Sequence, residues 1–371
     1  MKVKTTFLLL LGSLLFYTGC SEQPAPGAAS SVSLNQVRTF PLIETDSLFI
    51  GDFTALSISE DSYELFIPDH VQKTVVVVDT LGNLLRTIGR AGEGPGELPS
   101  VYHALVVEDM VYVRGRFRYT LFKTSGEFVE NRTRPEGVFE EGMWAIKFFN
   151  DHFYIGGIDA RTSGVQAQAT PDDRAFVVVD TAFNVVASLG GFPALYQEGE
   201  HIWRRRDLDI SPDGIMAAIF ELVPHLYLYD LNQPDHPLLA DIELTPSTFR
   251  LIEETKSVRL PASKRKELLT RISLINRVFL TKDAALAVLF FVNVHPGWHD
   301  RRDDSLVDHY VLIVDTRSKK LVGMQQIPGP LLAKDGQDRF YIRLSNVPDR
   351  RILGVFELVS EDEVIALSPD R

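Results

Sequence analysis

Two kinds of short β-hairpin alternate along this chain, and their alternation limits the folds open to it more than any other feature. One kind is a run of β-branched or apolar residues, a polar turn and a second such run. It occupies residues 74–88, 119–129, 176–186, 226–235, 310–322 and, more faintly, 352–358. Asp, Asn, Gly and Ser fill its turns, where they tolerate left-handed backbone or hydrogen-bond their own main chain. The other kind is a short strand, an acidic turn and a strand, at 57–67, 105–113, 146–155, 208–219, 278–288 and 332–342. Its turn aspartates, Asp61, Asp109, Asp151, Asp213, Asp283 and Asp335, recur about every 55 residues, the mark of a repeat architecture.

Two hairpins per repeat make four strands, and four-stranded antiparallel units in a ring are the blades of a β-propeller. The expected fold is therefore all-β, a six-bladed β-propeller of four-stranded antiparallel blades forming one domain over 36–371. A pair of β-sandwiches is the rival, but nothing in a sandwich asks for the same two hairpins in alternation. At 45% hydrophobic and 24% charged residues, the chain can bury a core of that size. Closing a ring removes exposed sheet edges, and residues 36–43 can complete the last blade, with Pro41 suited to an edge position. One short helical insertion is expected around 261–277, where Leu268, Leu269, Ile272 and Ile275 recur at helical spacing and Ser263 is a candidate N-cap.

The N-terminus carries a different message. A basic start, Met1-Lys-Val-Lys4, precedes an apolar run of 11 residues, Phe7 to Tyr17, and then Thr18-Gly19-Cys20. The run is short of the ~20 residues of a transmembrane helix, so 1–19 reads as a signal peptide. The order basic, apolar, small, cysteine resembles the lipobox of bacterial lipoproteins, which implies that Cys20 carries a lipid and holds the chain to a membrane of the bacterial cell envelope. Tyr17 departs from that pattern, where the family usually has Leu. Residues 20–35 are rich in Pro, Gly, Ala and Ser and read as a flexible tether. Cys20 is the sole cysteine, which excludes an intrachain disulfide and a Cys-X-X-Cys redox site.

A formal charge of −12 argues against a nucleic-acid binder, which needs a basic face. The segment 88–99, Ile-Gly-Arg-Ala-Gly-Glu-Gly-Pro-Gly-Glu-Leu-Pro, followed by Val111-Tyr-Val and then 119–128, resembles an NHL repeat. The chain is similar in this way to the NHL-like or TolB-like six-bladed propeller lipoproteins of bacterial envelopes, sharply over 57–130 and in architecture beyond. That resemblance implies a recognition or scaffold platform. A minority of related propellers are lactonases and lyases with metal-bound acidic and His residues at the channel, but no such ligand set maps onto this sequence, so no catalytic residue is carried over.

Antiparallel order sorts the loops by face. Short turns such as Glu60-Asp61 and Leu81-Gly82-Asn83 fall on one face, and the long segments 89–100, 133–142, 156–174, 190–206, 243–277 and 292–308 on the other. Long loops are commonly functional, so binding is expected on their face. The glycine-rich 89–96 loop lacks a P-loop ending and reads as a link between repeats. His201, Trp203, Arg204, Arg205 and Arg206 are candidates for holding an anion or sugar acid, with Trp298 beside them; salt bridging between blades is the alternative. His295, His299, Asp300, Asp303 and Asp304 are candidate ligands for a divalent cation such as calcium, although Pro296-Gly297 disfavours the helix that would align the two histidines. Asn131-Arg132-Thr133 matches a glycosylation sequon of little meaning in an envelope protein, and there is no Gly-X-Ser-X-Gly elbow.

The sequence thus points to a monomeric, lipid-anchored binding or scaffold propeller that recognises an envelope protein or a glycan. The alternative is a metal-dependent hydrolase or lyase of the lactonase type, which needs carboxylates and histidines converging on the channel.

Overall fold

A computed structural model describes residues 31–44, 49–140, 145–159, 168–201, 203–254, 256–301, 303–347 and 350–360. Cys20, the expected signal peptide, most of the tether and Trp144 lie outside these residues. Besides a short parallel pair, Arg90–Ala91 with Glu97–Leu98, the described strands form six antiparallel sheets, each with four strands in sequence order from the axis outward, the sixth closed by the N-terminus. The innermost strands are Ser57–Ile58, His103–Val107, Ile146–Phe149, Arg206–Ile210, Ser273–Leu280 and Leu331–Lys334, of blades one to six. Blade three carries an extra short strand, Val138–Glu140, on its second strand. The ring is the expected six-bladed propeller.

Blade six is built from both ends of the chain. Its outer strand is Val32–Pro41, paired antiparallel to Ile352–Ser360 from Val32 opposite Ser360 to Pro41 opposite Ile352. The segment 352–358, read as a faint hairpin, is thus one strand whose partner comes from the N-terminus. Val32 to Asn35, counted with the tether on composition, belong to this strand because Leu34 is buried in the seam between blades five and six. Its direction places Val32 at the face of the short turns.

There is no single central core. Six apolar clusters each fill the gap between two neighbouring blades, because a sheet inside a ring buries both faces and its middle strands read as continuous apolar runs. All of Thr74–Val78 is buried, each valine contributing roughly 2 kcal/mol of apolar burial. The turns obey local chemistry. Asp79 accepts the backbone N–H groups of Leu81 and Asn83 at 2.8 and 2.9 Å, and Asp180 takes those of Ala182 and Asn184 at 2.9 and 2.8 Å. Gly82 is required at its turn: its φ is +87°, and a Cβ there would meet the Pro41 carbonyl oxygen at 1.9 Å.

Among the described residues there are three α-helices, Ala194–Glu198 (α1), Ala262–Leu269 (α2) and Trp298–Arg301 (α3). α2 is the expected insertion, but it stops at Leu269, and Ile275 lies in the innermost strand of blade five. Pro261, not Ser263, is the N-cap, with no side-chain cap bond. The helical spacing ran on into a strand whose own alternation buries Ser273, Ile275 and Arg277. α3 forms directly after Gly297, where Pro296-Gly297 had argued against a helix.

Candidate functional site

The six innermost strands enclose a cavity of about 530 Å³. Its wall reaches out to the exposed Glu60, Asp61, Glu108 and Lys282 in the short turns. At its inner end lie His103, Asp207 and Arg277, where Arg277 donates to the Thr54 carbonyl at 3.2 Å across the ring and narrows the long-loop end. The channel thus opens toward the face of the short turns.

The inner edge of an axial strand carries backbone groups with no ladder partner, and burial makes each costly. In blade five, the Val278 and Leu280 N–H groups are such orphans. Blade four answers with Asp-Leu-Asp at alternate positions: Asp207 accepts from Val278 at 3.1 Å and Asp209 from Leu280 at 2.8 Å. Two buried carboxylates need cations. Lys147 of blade three sits 2.7 Å from Asp209, with its ammonium 5.8 Å from the centre of the Phe279 ring, and Arg277 faces Asp207.

Burial sets the protonation states. It raises the Asp207 carboxyl above the ordinary range against the pull of Arg277 and Lys147, and it pushes the Arg277 guanidinium down to about 10. His103 is held well below the usual imidazole value, first by burial and then by the nearby cations Arg277, Lys147 and Arg114. It is therefore neutral at pH 7. His103 is 6% exposed, and its Nδ1 has no hydrogen-bond partner. At the mouth, Asp335 is paired with Arg339 at 2.7 Å and Lys334 with Asp338 at 2.9 Å.

The residues singled out from sequence lie elsewhere. His201 is buried edge-on to Tyr196. Arg204 and Arg206 lie 5.1 and 4.9 Å from the Phe192 ring centre, and Arg206 donates to the carbonyls of Ala175 at 2.5 Å and Arg204 at 3.0 Å. Trp203 packs on the cluster between blades three and four. Arg205 is the most open of the three arginines, 3.9 Å from the buried Glu221. The run therefore ties the 190–206 loop and blade three to blade four.

The candidate cation ligands do not converge. His295 pairs with Asp308 at 2.7 Å, Asp300 with Lys266 at 3.5 Å, and Asp304 with Arg343 at 3.6 Å. Asp303 accepts from the Ser305 N–H at 3.0 Å, and His299 stands edge-on to Trp298, which packs on the cluster between blades five and six. Among the described residues no group of three or more His, Cys, Asp or Glu side chains is placed to hold a metal ion. In the glycine-rich loop, Glu97 accepts the Gly94 N–H at 2.9 Å and pairs with Arg90, so its carboxylate takes the place an anion would need. A second cavity, of about 420 Å³, runs beside α2 on the long-loop face. Its polar groups, such as Lys264 and Glu267 at 2.8 Å, pair in open solvent.

Sequence reasoning missed His103, Lys147, Asp207, Asp209 and Arg277. The available signal was a lone charged or imidazole group inside an apolar axial strand, as in Ile-Lys-Phe-Phe or Asn-Arg-Val-Phe.

Among solved structures, the chain is similar to a member of the DUF4221 family from Bacteroides vulgatus, at 13% identity over 90% of this chain and 99% of the other, with a TM-score of 0.68. It is also similar to a "Putative exported protein" from Bacteroides fragilis, at 12% identity over 90% and 96%, with a TM-score of 0.57. No family model and no curated protein matches it. Likeness at this identity shows a shared fold: the chain is a six-bladed β-propeller like these two, and its NHL-like segment stands as a local resemblance.

Proposed function

We propose that this chain is an exported binding propeller that takes an envelope ligand, protein or glycan, through the channel mouth on the face of the short turns. The observation carrying this reading is the cavity lined by the axial strands of all six blades. Export is supported by the apolar run after Met1-Lys-Val-Lys4 and by the similar protein named as exported. We further propose that Cys20 is the lipid anchor; since Val32 begins its strand at the short-turn face, the mouth then lies on the tethered side.

Metal-dependent hydrolysis has less support. The channel carboxylates Asp207 and Asp209 already accept backbone N–H groups, and the Lys147 ammonium stands beside Asp209. A divalent cation would have to displace that ammonium, so these residues do not fit a metal centre.

The test places a photo-crosslinking residue at Gly336, whose Cβ direction has nothing nearer than 3.6 Å, or at Phe117, 71% exposed on the long-loop face. In intact cells, adducts at 336 and none at 117 are expected, and adducts confined to 117 overturn the proposal. Stoichiometric metal by elemental analysis, with EDTA-sensitive melting, would instead favour the metal-dependent reading and call for a lactone and ester screen.

A further inference from the structure

The turns between the second and third strands of each blade lie on the long-loop face, at equivalent places around the ring. In blades six, one and two, which are consecutive, these turns share a composition. Val347 stands with Arg350 in blade six, Val71 with Lys73 in blade one, and Phe117 between Arg116 and Arg118 in blade two. Phe49 opens the strap that crosses from blade six to blade one. The strap sits between two of the turns: Asn346 donates to the Asp52 carboxylate at 3.2 Å, the His70 N–H to the Asp52 carbonyl at 3.4 Å, and a Cβ at Gly51 would lie 2.4 Å from that of Val71. Among the described residues eight large apolar side chains are more than half exposed, and four of them, Phe49, Val71, Phe117 and Val347, stand on this arc. The other turns of this kind differ. In blade four it is Glu221-Leu222, which is buried; in blade five it holds α3, whose Trp298 packs on a core cluster; and that of blade three lies partly outside the described residues, as do Pro348 and Asp349.

An exposed apolar side chain beside a cation is the composition of a lipid–water interface, where the apolar group enters the headgroup layer and the cation meets lipid phosphate. Lys73, Arg116 and Arg350 are available for that role, since among the described residues none of them is held in an ion pair. Asp52, an acid in their midst, is matched by Arg343 at 3.5 Å. The apolar tips belong to separate turns with His70 and Asp52 between them, so they do not form the continuous apolar core of a protein interface. Charge favours the same occupant. The chain is −12 overall, and Glu60, Asp61, Glu108 and Asp213 are exposed on the opposite face, so an anionic surface attracts the arc and repels the short turns. The tether does not oppose this orientation. Its twelve residues from Cys20 to Ser31 reach about 40 Å when extended, more than the roughly 30 Å of the nine-residue strand Leu286–Val294.

We propose that the arc of turns in blades six, one and two docks on an anionic lipid surface, with Phe49, Val71, Phe117 and Val347 in the headgroup layer and Lys73, Arg116 and Arg350 on lipid phosphates. The channel mouth then opens away from the bilayer.

The test places the full chain in vesicles of phosphatidylcholine, alone or with about one third phosphatidylglycerol, with a photo-crosslinking residue at 71 or at 336. Lipid adducts are read by mass spectrometry. On anionic vesicles the yield at 71 is expected to exceed that at 336 about tenfold, and on neutral vesicles this ratio should fall about threefold. R116E combined with R350E, both at exposed positions, should lower the yield at 71 about tenfold with melting unchanged, and K320E on the short-turn face should leave it unaltered. Equal yields at 71 and 336, or a yield at 71 indifferent to phosphatidylglycerol and to the charge reversals, overturn the proposal. Protein adducts at 71 in intact cells without lipid adducts also overturn it and assign the arc to an acidic partner protein. Lipid adducts on the arc leave the channel reading standing, because that reading turns on protein and glycan adducts, and the absence of those at 336 removes it without touching the arc.

Discussion

Buried charge is handled in two ways in this ring. In the 190–206 loop, Arg204 and Arg206 cover the Phe192 ring, and Arg206 donates to backbone carbonyls. On the channel axis, Lys147, Asp207, Asp209 and Arg277 also satisfy one another and the backbone, yet they border about 530 Å³ of open volume. The first arrangement is contiguous in sequence and conspicuous, the second is scattered over three blades. Conspicuous charge here packs against neighbouring blades, and dispersed charge lines the open space on the axis.

Substitutions separate the two. The largest effect is expected for Arg206→Ala, which leaves the Ala175 carbonyl and the Phe192 face uncovered and should cost about 4 kcal/mol in urea unfolding. A loss under 1 kcal/mol would remove the structural reading of that loop. Lys147→Met, which strips Asp209 of its cation at a partly open site, should cost about 2 kcal/mol. Adding Asp209→Asn should return most of it, and a double-mutant cycle without coupling would show the pair to be idle.

The pH dependence comes next. Burial raises the Glu221 and Asp207 carboxyls in the folded state. The native protein thus holds protons that the unfolded chain releases, so each group lowers stability as pH rises from its unfolded value through its folded one. Glu221→Gln and Asp207→Asn should each flatten that decline, read as melting temperature from pH 4 to 8. An unchanged slope in both would mean that the carboxyls are hydrated. The smallest effect belongs to Arg205→Ala, whose half-open guanidinium lies 3.9 Å from Glu221 and should change stability by less than about 1 kcal/mol.

Much of the fold was legible because its determinants are local. A run such as Val75 to Val78 ending in Asp79 specifies strand and turn within a few residues, and the six turn aspartates mark the connections between first and second strands. The end of α2 was not legible, since apolar residues at 268, 269, 272 and 275 satisfy a helical stripe while the last of them alternates as strand. The channel was the least legible. Each axial strand contributes one or two polar groups, and only ring closure brings Lys147, Asp207 and Arg277 together. Loop length points to the other face, where the cavity beside α2 lies, and says nothing of the room that six strands leave on the axis.

The strand Val32–Pro41 pairs with residues more than three hundred positions later. On a ribosome it is among the first strands made, and it must wait, unpaired, for the last. Nascent chains would therefore carry an open edge through nearly all of synthesis, since contacts of such sequence separation are slow to form. Covering that edge until residues 352–360 are made would act on the step that commits the ring to close.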